Sequence, residues 1–92
     1  MSYNHQIDIS DLSILLVEPS KMQSKVITQH LKEEGIVSID SVHSGTEAIN
    51  ELAKYEPDLI ISSMYLPDMT ATELVVQVKT SEKYSNISFM LI

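Results

Sequence analysis

The chain has 92 residues, with thirteen acids, six lysines and no arginine, for a formal charge of −7, and 43% of its residues are apolar. This is the composition of one small globular domain; with no cysteine and no basic cluster it excludes a disulfide scaffold, a thiolate nucleophile and a nucleic-acid footprint. Anionic membranes are disfavoured by the same charge and no apolar run nears the roughly 20 residues of a membrane span. The stretch Met1 to Asp11 lacks the basic and apolar regions of a signal peptide, so the cytoplasm is the default location.

Residues 1–12 read as an N-terminal extension. Ser13 to Val17 (SILLV) is a nearly continuous apolar run, as in a strand buried on both faces of a parallel sheet. Ser20 with Gln23 fits a capping box that opens a helix running to about Glu34, where Gly35 ends it. The apolar arc of that helix is predicted at Met22, Val26, Ile27 and Leu31, with His30 in its middle as a partly buried core histidine. In Val37 to Val42 (VSIDSV) the polar residues alternate with Val37 and Ile39, which suits a half-exposed edge strand.

Ser44 with Glu47 marks a second helix start, with Ala48, Ile49, Leu52 and Ala53 on one face and Pro57 closing the exit. Asp58 to Ser62 (DLIIS) is another buried strand. Thr70 with Glu73 opens a third helix whose apolar stripe is Ala71, Leu74, Val75 and Val78. Ile87 to Ile92 (ISFMLI) is a fourth apolar run. A natural terminus is usually polar, so the expectation is that the sequence is cut short there or that another element completes the segment.

The pattern β-α-β-α-β-α-β predicts a flavodoxin-like α/β domain over residues 13–92, a three-layer α/β/α sandwich with a parallel sheet in the order 2-1-3-4. Ligand crevices in such sheets lie beyond the carboxyl ends of the strands. Glu18, Pro19 and Ser20 after strand 1, and Ser63, Met64 and Tyr65 after strand 3, face that crevice, with Pro67 in the same loop.

The stretches ILLVEPS (Ile14 to Ser20), SGTEAI (Ser44 to Ile49) and PDLIISSMYLPDM (Pro57 to Met69) occur in order and at separations that resemble the receiver domain of two-component response regulators. The resemblance covers roughly residues 13–92 and implies an Mg²⁺ site built on two acids after strand 1 and an aspartate ending strand 3, which accepts a phosphoryl group from a histidine kinase. In this sequence Glu18 stands at the first acidic position, Pro19 at the second and Ser63 at the acceptor. Tyr65 stands where a backbone carbonyl helps to hold the metal, and Thr70 and Ala71 stand where the family usually has Asp and Gly. The family's fifth strand and last helices, with the switch Thr or Ser and the Lys, lie beyond Ile92.

These departures imply a receiver degenerate at the acceptor site. Glu18 is the only remaining carboxylate candidate where the family has three, so no metal is expected, or Mg²⁺ at most weakly. Without a metal to offset the developing charge, phosphoryl transfer is slow, and a serine gives a stable ester in place of an acyl phosphate. Asp58 opens strand 3, at about 3.3 Å per residue roughly 16 Å from Ser63, and is no substitute. Asp68 is expected to point to solvent from the turn set by Pro67.

Read without the resemblance, Ser63 is a small polar residue closing a buried strand, and Glu18 a loop acid favoured by about 0.3 to 1 kcal/mol near the N-terminus of helix 1. His5, His30 and His43 share no ligand spacing. The function expected is a receiver-like module of a phosphorelay system that works by protein contacts and is no enzyme. Its partners would be a histidine kinase, a phosphotransfer protein or an output domain, with a homodimer through the incomplete sheet as a further possibility. The alternatives are a phosphorylatable receiver with an altered acceptor, or a small α/β enzyme or nucleotide binder, against which stands the lack of a Gly-rich loop around Gly35 or Gly45.

Overall fold

Runs that are apolar on both faces pair at the centre of the sheet, and the alternating run is left at its edge. In a computed structural model describing residues 8–92, the strands are β1 (Ser13–Val17), β2 (Ser38–Val42), β3 (Leu59–Ser62) and β4 (Ser88–Leu91), all parallel, in the order β2-β1-β3-β4. This is the flavodoxin-like arrangement. Residues 1–7, most of the predicted extension, lie outside the described residues. Ile9–Asp11 forms a single 3-10 turn capped by the Asp8 side chain.

Pleating sends alternate residues of each strand to opposite faces. Ile14, Leu16 and Ile61 pack with Ile36 under Ile27 and Leu31 of α1 (Lys21–Glu33). Leu15, Val17 and Ile60 pack with Ile87 under Ala48 and Leu52 of α2 (Gly45–Leu52) and Leu74 and Val78 of α3 (Ala71–Lys79). One helix on one face and two on the other make the three layers. β4 is the second edge, with Met90, Leu91 and Ile92 exposed.

The phase of α1 differs from the sequence expectation. Ser24, Ile27 and Leu31 face the sheet, whereas Met22 and Val26 are exposed and His30 is a surface residue, 74% exposed, 3.7 Å from Glu33. Ser24 takes an inner position of the helix, buried with its hydroxyl hydrogen-bonded to that of Ser41 in β2. A polar residue on the inner face turned the apparent apolar arc away from the true one. Ala53 likewise lies outside the core of α2, exposed as its C-cap.

Of the three predicted capping boxes only Thr70 with Glu73 is reciprocal. Ser20 and Ser44 do accept from the backbone of Gln23 and Glu47, at 3.2 and 3.1 Å. The reciprocal bonds are missing: the Ser20 N–H goes to the Glu18 carboxylate, and the Glu47 carboxylate takes the N–H of His43 in place of that of Ser44. Gly35 ends α1 with a φ of 100°, a left-handed conformation that favours glycine.

Candidate functional site

The carboxyl ends of β1, β2 and β3 are held in line by their register, in which Val17 pairs with Val42 and with Ser62. Each chain leaving the sheet is then anchored to its neighbour. The Glu18 N–H donates to the Val42 carbonyl at 3.0 Å, and the Ser63 N–H donates to the Val17 carbonyl at 3.0 Å. Glu18 and Ser63, 45 positions apart, therefore meet across the crevice, and the Ser63 hydroxyl donates to one carboxylate oxygen of Glu18. The other oxygen accepts the Ser20 N–H at 2.9 Å. Glu18 is only 9% exposed, so both bonds are shielded from water.

The remaining predicted residues line the rim. Pro19 and Ser63 are half-buried, Ser20 is the exposed N-cap of α1, and Met64, Tyr65 and Pro67 are exposed, Tyr65 at 78%. Asp58 sits at the opposite end of the sheet, where its carboxylate accepts the Ser13 N–H at 2.8 Å.

Two contacts were not legible in the sequence. Asp68 is exposed, as expected, and its carboxylate also accepts from the N–H of Gly45 at 2.9 Å and from the N–H and hydroxyl of Thr46 at 2.8 and 2.6 Å. The Thr46 hydroxyl, then the two backbone N–H groups, hold the Asp68 carboxyl down at about 2. The β3–α3 loop thus caps the N-terminus of α2, where an anion is favoured. A Cβ on Gly45 would press on the flexible end of the Met69 side chain, which lies over the start of α2. His43 Nδ1 lies 2.8 Å from the Glu18 carbonyl, joining the β2–α2 loop to the β1–α1 loop. The three loops are thus closed in a ring from Ser63 to Glu18, to His43, to the start of α2, to Asp68 and back along the chain to Ser63. Neither Asp68 nor His43 carries a local signal for this, since both contacts span more than twenty positions.

Among the described residues no three His, Asp or Glu side chains converge as a metal site does, and no helix is long and apolar enough to cross a membrane.

Residues 14–91 match the model of the response regulator receiver domain. The chain belongs to the receiver-domain family. It is 29% identical to the transcriptional regulatory protein TrcR of Mycobacterium tuberculosis, over 94% of this chain and 33% of that one. It is 27% identical to the polar-differentiation response regulator DivK of Brucella ovis, over 82% of this chain and 60% of the other. Among solved structures, the signal receiver domain of a histidine kinase from Syntrophus aciditrophicus superposes with a TM-score of 0.83 at 32% identity, over 88% of this chain and 61% of that one. The chemotaxis response regulator CheY4 of Vibrio cholerae gives 0.80 at 25%, over 87% and 66%. The chain thus spans about a third of TrcR and under two thirds of DivK. It is a receiver domain of a two-component signalling system.

Proposed function

We propose that this receiver is not phosphorylated at the usual position and transmits signals through protein contacts. The observation that carries the reading is the engagement of both Glu18 oxygens within the chain, one by the Ser63 hydroxyl and one by the Ser20 amide. A divalent cation in the crevice would have to displace both donors and would find a single carboxylate, whereas Mg²⁺ is held by carboxylates, waters and phosphate oxygens in near-octahedral array. These residues do not fit the ion.

Ser63 itself is a poor acceptor. A phosphoserine placed there would set its charge against the buried Glu18 carboxylate. Histidine kinases, phosphotransfer proteins or an output domain are the partners this reading assigns, with a second copy of the chain as a further one. The acidic, arginine-free composition argues against direct nucleic-acid binding. Incubation with a small phosphodonor and Mg²⁺, followed by intact mass measurement, is expected to show no phosphoryl adduct. An adduct that vanishes in Ser63→Ala would favour the altered-acceptor alternative.

A further inference from the structure

The β2 edge of the sheet carries opposite charge on its two faces. The Val42 carbonyl faces β1, since it accepts the Glu18 N–H. By the alternation of a strand, the N–H and C=O groups of Ile39 and Ser41 point outward from the sheet. On the α1 face, a groove of about 500 Å³ between α1 and β2 is lined by Ser24, Lys25, Thr28, Gln29, Lys32 and Ser41, two lysines and no acid. Lys21 lies on the same side of α1, so three of the chain's six lysines form one stripe. On the α2 face, a second groove of about 430 Å³ is lined by His43, Glu47, Glu51 and Lys54 among others, and the lysine is already paired with Glu51 at 3.1 Å. Asp40 projects on that same face, because it pairs in register with Leu15, whose side chain lies in the α2–α3 core. Beside it the Tyr55 phenol is pushed up from its ordinary value, first by burial and then by Asp40.

We propose that β2 receives an added strand from a partner protein, a strand whose side chains alternate in sign, with acids toward α1 and lysine or arginine toward α2. Such a strand would gain main-chain hydrogen bonds to Ile39 and Ser41, and successive side chains would fall on opposite faces, each onto the groove of opposite charge. A second copy of this chain does not suit the edge. Two β2 strands paired antiparallel about a two-fold axis would set the lysine stripes side by side on one face and the acidic rows side by side on the other. The surface shares His43 and Glu47 with the loops around the crevice but uses neither Glu18 nor Ser63, so the inference stands apart from the reading of those two residues.

The test uses the full chain in amide NMR and hydrogen exchange, with two octapeptides of equal composition: one strictly alternating glutamate and lysine, the other with four glutamates followed by four lysines. The alternating peptide is expected to shift the resonances of residues 38–42 and to protect the Ile39 and Ser41 amides. Lys25→Glu with Lys32→Glu, both on the surface, should weaken it at least tenfold while leaving the spectrum folded. Equal binding of the block peptide, shifts confined to the crevice or β4, or no shift at millimolar peptide would overturn the proposal. So would a concentration-dependent dimer that itself protects Ile39 and Ser41.

Discussion

Replacing Ser63 by alanine removes the hydroxyl that donates to Glu18 and leaves that carboxylate, 9% exposed, with the Ser20 amide as its remaining partner. A hydrogen bond to a charged group is worth about 1.5 to 3 kcal/mol, and at this burial solvent replaces little of it. In a domain of this size each 1 kcal/mol moves Tm by about 4 to 8 °C, so Ser63→Ala should lower Tm by roughly 6 to 24 °C at pH 7. Ser63→Asp should be worse at pH 7, because it sets a second carboxylate against the first in a shielded site. Its deficit relative to Ser63→Ala should shrink as the pH falls and the pair takes up a proton. Millimolar Mg²⁺ should raise the Tm of Ser63→Asp, which offers the ion two carboxylates, and leave the unmodified protein unchanged. Thermal unfolding followed by circular dichroism reads all of these. The reasoning is refuted if Ser63→Ala unfolds within 2 °C of the parent, or if Mg²⁺ stabilises the parent as much as Ser63→Asp.

Three further outcomes follow from the packing and the caps. Leu74 is fully buried between α3 and the sheet, so Leu74→Ala should cost about 2 to 5 kcal/mol in urea unfolding, while Met22→Ala, at 77% exposure, should cost under about 0.5 kcal/mol. Gly45→Ala places a methyl group against the flexible end of Met69, which can turn aside, so it should change stability by less than about 1 kcal/mol, and any loss should disappear when Met69→Ala is added. The Asp68 carboxyl is held at about 2 when folded, below its ordinary value of 3.8. A depressed carboxyl stabilises the fold above its unfolded value, and that contribution is lost as the pH falls from about 4 to about 2. Asp68→Asn should therefore show a flatter Tm against pH in that window.

The strands and helix starts were legible because their signals are local: unbroken apolar runs for β1 and β3, alternation for β2, and a Ser or Thr three residues before Gln or Glu at each helix. The meeting of Glu18 and Ser63 at one crevice also followed, once the strand order placed the ends of β1 and β3 side by side. The inner face of α1 was not legible, since the hydroxyl pair of Ser24 and Ser41 occupies a place that periodicity assigns to an apolar residue. Reciprocity of the first two caps failed for a related reason. Glu18 and Glu47 each serve a neighbouring amide, a choice fixed by loop geometry and invisible to three-residue spacing. The capping contact of Asp68 was not legible because its partners, Gly45 and Thr46, come from a different βα unit.

On the proposed function, the crevice is closed by its own side chains and does not accept a phosphoryl group. The most direct measurement is the amide NMR spectrum of the full chain before and after addition of beryllofluoride with Mg²⁺. The resonances of residues 17–20, 43–47 and 62–70 should stay in place. A saturable set of shifts clustered around Glu18 and Ser63 would contradict the proposed function.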